Sequence, residues 1–461
     1  MIKVKRYVPI PIYDFLKCRK HNHIKYKSLF ESEIVHLEID GLIVVCDTVI
    51  RVSGIRNLDD KNFCEVPRDF FHKILHHDYK VYVDYLLESN IIESDGFYIE
   101  GEKSKSYRIN EDYMGDLMSY SLSDKLMSKR SEKSVKGRGK SPLSISSTHK
   151  KNYMKLKYDA DSALTEVMYS YLNKIPNKKG LVLTKYTKMI LEHKILQIRD
   201  KQLWIDRNST NGRITSNLST LNSEYKRFVL GYETLLDITA SQPTLILILI
   251  NLIKFFKNSD KAALLPSLSL PLASYVCKMG EKYLGKTDWE RVLNEMKNVN
   301  LPSQKDIERY ENLCRSGRLY EVIQDEMFIE TGIKPTRGEV KESIFHTFFS
   351  SNRSRTPIKS KITEMFPTIM KVMDRIKSSP KSKKGYAIFA ILMQSIESFV
   401  WVENILPKLD KMNIDYLFIH DAVIVKGRDM ERTEISIMEQ YSYFGITPNI
   451  SREDLKTGKK I

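Results

Sequence analysis

Beyond residue 151 the apolar positions recur mostly at helical spacing, as from Ser162 to Leu172 and from Tyr186 to Ile198. Two stretches break that rhythm with consecutive apolar residues short enough for buried strands. One is ETLLD, Glu233 to Asp237, and the other is YLFIHDAVIV, Tyr416 to Val425, whose apolar arms flank a polar His-Asp pair. From Asp69 to Asn110 the pattern is helix, helix, then two short strands about a DG turn at 95 and 96. That order predicts a small winged-helix-like α+β module, whose wing would carry Lys103, Lys105 and Arg108 toward nucleic-acid phosphates. A structural module or a protein-binding winged helix fits the same pattern. Residues 125–151 are rich in Lys, Arg, Ser and Gly with almost no apolar periodicity, which predicts a mobile basic linker. A second basic stretch, Lys377 to Lys384, reads as a solvated loop between helices. The expected organisation is an N-terminal module over 1–124, a linker over 125–151 and a mostly helical α+β core over 152–461.

Charge sharpens this picture. Seventy-four Lys and Arg against 58 Asp and Glu leave a formal +16, which suits a partner with a phosphate backbone, although a basic surface kept for solubility has the same composition. With 42% apolar residues in 461, most of the chain can fold around real cores. Five scattered cysteines form no CxxC pair, so neither a disulfide framework nor a zinc site is indicated and a reducing cytoplasm is expected. The most apolar run, Leu245 to Ile253, is only nine residues long before Lys254, and no membrane span is expected.

Candidate chemistry lies on the strands. Leu235 and Leu236 deliver Asp237 to a strand exit, where an Asp commonly caps the next helix. His420 and Asp421 sit at the bend of a hairpin between apolar arms. Two carboxylates brought together from adjacent strands repel unless a divalent cation lies between them, and Mg²⁺ favours a site with few carboxylates plus phosphates and water. Between these segments, Arg337, Lys341, Phe345 and Phe349 recur every four residues along one side of a helix. Two cations followed by two rings suit a nucleoside triphosphate, while a basic amphipathic helix with an aromatic core stripe is the plainer reading.

In this order the motifs resemble the family A DNA polymerases and their relatives, the single-subunit RNA polymerases of phages and mitochondria. Residues 209–222, STNGRITSNLSTLN, are similar to that family's Thr-Gly-Arg segment, with Gly212 and Arg213 kept. LDITASQP resembles motif A, Arg337 to Phe349 resembles motif B, AILMQSIESFVW with Gln394 resembles the helix before motif C, and His420-Asp421 resembles motif C itself. The resemblance implies a right-hand architecture, with a thumb near 153–203, a palm near 204–242 and 395–461, and fingers near 243–394. It implies that Asp237 and Asp421 bind two Mg²⁺ ions, with Mn²⁺ as a substitute, that Arg337 and Lys341 neutralise phosphates, and that Phe345 packs on the incoming nucleotide. Arg213, Gln394 and His420 would steady a primer terminus.

Three positions depart from the family. Gln242 stands where DNA-making members usually carry a Glu that blocks a ribose 2′-hydroxyl, Phe349 replaces a Tyr, and Ala422 replaces a common Glu. The expected function is a DNA polymerase of a phage, plasmid or other mobile element, extending a primer on a DNA template with dNTPs. An RNA template, an RNA polymerase or primase, and a DNA-binding initiator with an inactive polymerase-like scaffold are the alternatives. No proofreading exonuclease is expected, since Glu38 and Asp40 are an isolated acidic pair.

Overall fold

Helices dominate, and several begin where the sequence supplies a side-chain acceptor for the free N–H groups of a first turn. Asp159, Thr184, Thr336 and Thr356 each accept from a backbone N–H three residues on, capping helices Ala160–Leu172, Lys185–Arg199, Arg337–Phe349 and Pro357–Met365. The computed structural model describes residues 4–18, 23–27, 34–56, 58–100, 103–136, 145–177, 180–257, 269–298, 304–353, 356–378 and 385–461. Over these residues the protein is α+β and mostly helical, with small antiparallel sheets. It divides into two compact units, Met1–Lys140 with Met154–Asp206 and Ser216–Leu230, and Ser141–Tyr153 with Arg207–Thr215 and Gly231–Ile461. Residues 154–206, expected as part of the core, thus fall in the first unit.

The first unit is built around helix Ile39–Ser53, which is buried along almost its whole length. Such a helix can carry a charge only if that charge is fully partnered. Asp47, 1% exposed, accepts from Arg6 Nη1 at 2.8 Å, from the Tyr7 backbone N–H at 2.9 Å and from His193 Nε2 at 2.9 Å. Asp40 is similarly used up: it accepts from the Tyr120 and Ser123 hydroxyls and the Asp124 backbone N–H, so it is a structural residue.

Helices Arg68–Leu75 and Tyr79–Glu88 and strands Ile92–Ser94 and Ser106–Ile109 follow in the order read from the sequence. Strand Ser106–Ile109 lies between Cys64–Glu65 and Ile92–Ser94. The cations expected on its hairpin are partly engaged at home. Lys103 Nζ pairs with Asp95 at 2.8 Å, and Arg108 pairs with Glu93 at 2.6 Å while covering the Phe63 ring. Lys105 is exposed.

Much of the expected linker is helical. Lys125–Lys136 forms a helix whose Arg130 donates to the Ile74 carbonyl, and its start is marked by Asp124, which accepts from the Met127 N–H. Charge density hid that cap. Residues 137–144 lie outside the described residues, as do 379–384 of the second basic stretch. The linker's end, residues 147–153 of helix Ser147–Met154, belongs to the second unit, where buried His149 stacks on Tyr416 with ring centroids 5.4 Å apart. Burial pushes the His149 imidazole down to about 4, so it packs there as a neutral ring.

A four-stranded antiparallel sheet organises the second unit, in the order Tyr416–Ile419, Ala422–Val425, Thr234–Ile238, Ile450–Asp454. Helices Ser241–Lys257 and Gly385–Ser398 pack against each other, and the latter continues through a π-helical stretch, Phe399–Ile405, into Leu406–Lys411. The continuous helix Ala387–Lys411 is long and apolar enough to cross a membrane by composition, which the apolar runs alone did not suggest, and its most apolar stretch is 72% buried inside the structure. Its apolar character serves the core. All five cysteines are free thiols.

Removing the Asp47 carboxylate should leave Arg6 charged and buried without its partner. Asp47→Ala is expected to lower unfolding free energy by about 3–5 kcal/mol in denaturant titrations. Burial raises the Asp47 carboxyl, but Arg6 and the His193 hydrogen bond more than offset it and hold it well below its ordinary 3.8. Its contribution is therefore full above pH 3.8 and is lost as pH falls further, so wild type should lose more stability than Asp47→Ala on acidification below that point.

Candidate functional site

Strand Thr234–Ile238 alternates buried and half-buried residues, which puts Leu236 in the core and Asp237 on the opposite, more open face. Asp237 pairs with Ala422 on one side and with Ser451 on the other. Asp421 immediately precedes Ala422, at the two-residue bend between the hairpin arms. The register therefore delivers both carboxylates to one end of the sheet, and they line a common cavity of about 210 Å³. Buried Tyr441 and Tyr320 register the same proximity. Burial raises both phenols, and the charges of Asp421 and Asp237 add to it in each case.

Backbone strain sits beside each carboxylate. Ala240, three residues after Asp237, has φ 53°, and His420, just before Asp421, has φ 58°. Neither is glycine, and left-handed backbone at such residues typically costs on the order of 1–3 kcal/mol and clusters at functional sites. Neighbouring structure fixes both turns: the Thr239 N–H donates to the Asn449 carbonyl at 2.8 Å, and the hairpin arms are buried throughout.

Helix Arg337–Phe349 supplies the cationic side of the cavity. Its Thr336–Glu339 capping box fixes the first turn, and Val340, Ile344, Thr347 and Phe348 form the buried face. Arg337, Lys341 and Phe345 line the cavity as the four-residue spacing predicts. Arg337 lies over the Tyr320 ring, 4.9 Å from its centroid, and pairs with Glu321 at 2.8 Å. Lys341 Nζ lies 5.9 Å from the Phe345 ring. Phe349 stacks on Phe345 with centroids 5.9 Å apart and braces that ring without lining the cavity.

No family model matches the chain, and no curated protein matches it. Among solved structures it is similar to the POL domain of Pol1 from M. smegmatis, in complex with DNA primer-template and dNTP. The two share 11% identity at a TM-score of 0.31, over 67% of this chain and 69% of that one. A likeness of that size assigns neither fold nor activity, so the chemistry rests on the residues themselves.

Arg213 and Gln394 do not line the cavity, but they join a network beneath it. Gly212, at φ 74°, turns its carbonyl toward Ser398 Oγ, which donates at 2.7 Å, and Arg207 Nε, which donates at 2.9 Å. Asn211 Nδ2 donates to Gln394 Oε1 at 2.7 Å, and Arg213 Nη2 donates to Glu397 Oε2 at 2.5 Å. Gln394, Glu397 and Ser398 occupy one helix face at i, i+3 and i+4, so the loop docks along it. Gln242, which does line the cavity, donates through Nε2 to the same Glu397 oxygen. Burial pushes the Glu397 carboxyl up to about 7; the Arg213 charge opposes this and the Asp421 charge reinforces it.

Of the residues singled out in the sequence, Asp237, Gln242, Arg337, Lys341, Phe345 and Asp421 thus meet in one cavity. Sequence reasoning missed Tyr320, Ser451, Lys460 and Glu397. Lys460 arrives through a backbone bridge to Glu453, next to strand Ile450–Asp454, and no local pattern announces it. Glu397 did carry a signal: it is the lone acid in AILMQSIESFVW, and acids are seldom buried unless paired. Among the described residues no group of three or more His, Cys, Asp or Glu gathers. A paired carboxylate set fits a hard cation that takes most of its ligands from water and phosphate.

A methyl group at Gly212 would lie 2.5 Å from both Ser398 Oγ and Tyr275 Oη, in a backbone conformation that already disfavours a side chain. Gly212→Ala is expected to destabilise the protein by about 1–3 kcal/mol in chemical denaturation. Gly231→Ala, with a similar φ and open space around it, should be destabilised less.

Proposed function

We propose that the protein is a template-directed nucleotidyltransferase, a DNA polymerase that extends a primer 3′-hydroxyl with deoxynucleoside triphosphates. The observation that carries this reading is the meeting of Asp237, on its strand, and Asp421, at the bend of the neighbouring hairpin, in one cavity with Arg337, Lys341 and Phe345. Paired carboxylates opposite paired cations match the charge distribution of a metal-bound triphosphate, and the ring offers a surface for the base. The ordered resemblance of these segments to family A polymerases supports the same chemistry.

In this reading Asp237 and Asp421 hold two divalent cations, Mg²⁺ by preference. When bound, these ions lower the pKa of the 3′-hydroxyl and neutralise charge on the transferred phosphoryl group. Arg337 and Lys341 orient the triphosphate and stabilise the negative charge on its leaving portion, while Phe345, braced by Phe349, limits the nucleotide's freedom. Arg213, Gln394 and His420 position the primer end. The sheet with the loop of 207–215 serves as palm and the helices between 243 and 394 as fingers. The 69–110 segment is a winged helix for which Lys105 is an available phosphate contact. The reading includes a cytoplasmic setting and a phage, plasmid or other mobile element as source.

Primer extension on a DNA template with Mg²⁺ tests the proposal. Asp237→Ala and Asp421→Ala should each lower incorporation by more than about 100-fold, since even residues that only support a metal ligand are commonly worth 10–100-fold. Lys341→Ala should raise the KM for the triphosphate, and chelation should stop synthesis. Unaltered incorporation by both aspartate variants, with unchanged far-UV circular dichroism, would sink the two-carboxylate mechanism.

A further inference from the structure

Two ammonium groups line the cavity, and they come from different elements. Lys341 stands on helix Arg337–Phe349, whereas Lys460 belongs to the segment that folds back along strand Ile450–Asp454. Backbone hydrogen bonds hold that segment in place. The Asp454 N–H donates to the Lys459 carbonyl at 2.8 Å and the Ile461 N–H to the Arg452 carbonyl at 3.1 Å, which sets Lys460 opposite Glu453 in antiparallel pairing. The turn between them is closed by Asp454, whose Oδ1 accepts from the Thr457 N–H at 2.7 Å and from the Thr457 hydroxyl at 2.8 Å.

Register then decides where Lys460 lies. Ser451 pairs directly with Asp237, Glu453 is two residues along the same strand, and Lys460 is across from Glu453, so all four occupy one face of the sheet. Across that face the order is Asp421 at the bend of its hairpin, then Asp237, then Ser451, with Lys460 on the outer arm. Lys460 therefore reaches the cavity from the edge opposite the His420–Asp421 hairpin. Two strand spacings, about 10 Å, separate its backbone from that of Asp237, and its charge faces the cavity rim.

Arg337 is already paired with Glu321 at 2.8 Å, while neither Lys341 nor Lys460 is held in an ion pair among the described residues. An ammonium group left unpaired at the rim of such a cavity suits an anion that enters it.

We propose that Lys460 is a substrate-binding residue that holds the β- and γ-phosphates of the incoming nucleoside triphosphate from the edge of the sheet. This rests on the nucleotidyl-transfer reading above, in which His420 holds the primer end on the hairpin side and the opposite edge is left to the other reactant. Two divalent ions on the carboxylates leave a bound triphosphate short of about two positive charges, which Lys341 and Lys460 supply.

The test is equilibrium binding of a dNTP to the protein on a dideoxy-terminated primer-template with Mg²⁺, read beside steady-state primer extension. In Lys460→Ala the dNTP Kd and KM should each rise about 10-fold, the worth of one exposed charge-assisted hydrogen bond. Inorganic pyrophosphate should inhibit synthesis correspondingly less, and primer-template affinity should stay unchanged. Lys460→Arg keeps the charge and should remain within about 3-fold of wild type.

An unmoved dNTP Kd in Lys460→Ala would overturn the assignment, and a fall in primer-template affinity beside it would place Lys460 on the primer backbone instead. Equal losses in Lys460→Ala and Lys460→Arg would also overturn it, since they would make the side chain's shape, not its charge, the cause. Each of those outcomes leaves polymerisation by wild type standing. Absence of both dNTP binding and incorporation in wild type would overturn the two readings together.

Discussion

Cross-strand register is the constraint on which the candidate site depends. Asp237 pairs with Ala422, so Asp421 is one residue from the same level of the sheet. A slip of one residue would turn Asp237 toward the core and Leu236 out of it, exchanging a favourable burial for an unpaired buried charge. That penalty makes the register self-enforcing. The four hairpin positions on each arm are all buried, so the same apolar residues that stabilise the sheet also set the separation of the carboxylates. His149 adds to this from behind, stacked on Tyr416 and edge-on to Phe418.

Electrostatics then distribute the work among the acids. Asp237 and Asp421 open onto the cavity, where cations can balance them, whereas Glu397 is sealed beneath and is balanced by protein donors. The three acids are close enough that Asp421 raises the Glu397 carboxyl, and all three raise Tyr441. Like charges so arranged would loosen a site held only by packing. Here the Asn208–Arg213 loop, docked through Asn211, Gly212 and Arg213 on one face of helix Gly385–Ser398, supplies the opposing charge and the rigidity at once.

What was legible in the sequence follows from periodicity. The hairpin about His420 and Asp421, the strand that carries Asp237 and the stripe from Arg337 to Phe349 each carry a short-range pattern, and each stands within a residue of where that pattern places it, Asp237 lying one residue inside its strand's end. Residues delivered by tertiary structure left no such trace. Tyr320, Ser451 and Lys460 come from three separate elements and reach the cavity through helix packing, an edge-strand pairing and a backbone bridge. Helix Lys125–Lys136 was hidden for another reason: its charges dominate composition, while its stability comes from an Asp124 cap and from packing on helix Arg68–Leu75, which composition does not record. Lys103 and Arg108 were visible as cations but not as partners of Asp95 and Glu93, because hairpin register decides which charges meet.

Local rules are broken where the carboxylates lie, and the breaks share one physical logic. Ala240 and His420 hold left-handed backbone without being glycine, two acids approach each other, and a glutamate is buried in an apolar helix. Each is unfavourable alone, and a sequence free to optimise stability would remove all of them. They persist together because each serves the geometry of the next: strained turns hold the carboxylates at the open end of the sheet, and the buried glutamate holds the amide beside them. The surrounding apolar strands and helices supply the stability that offsets these costs, so the most regular parts of the structure are what allow the least regular part to exist.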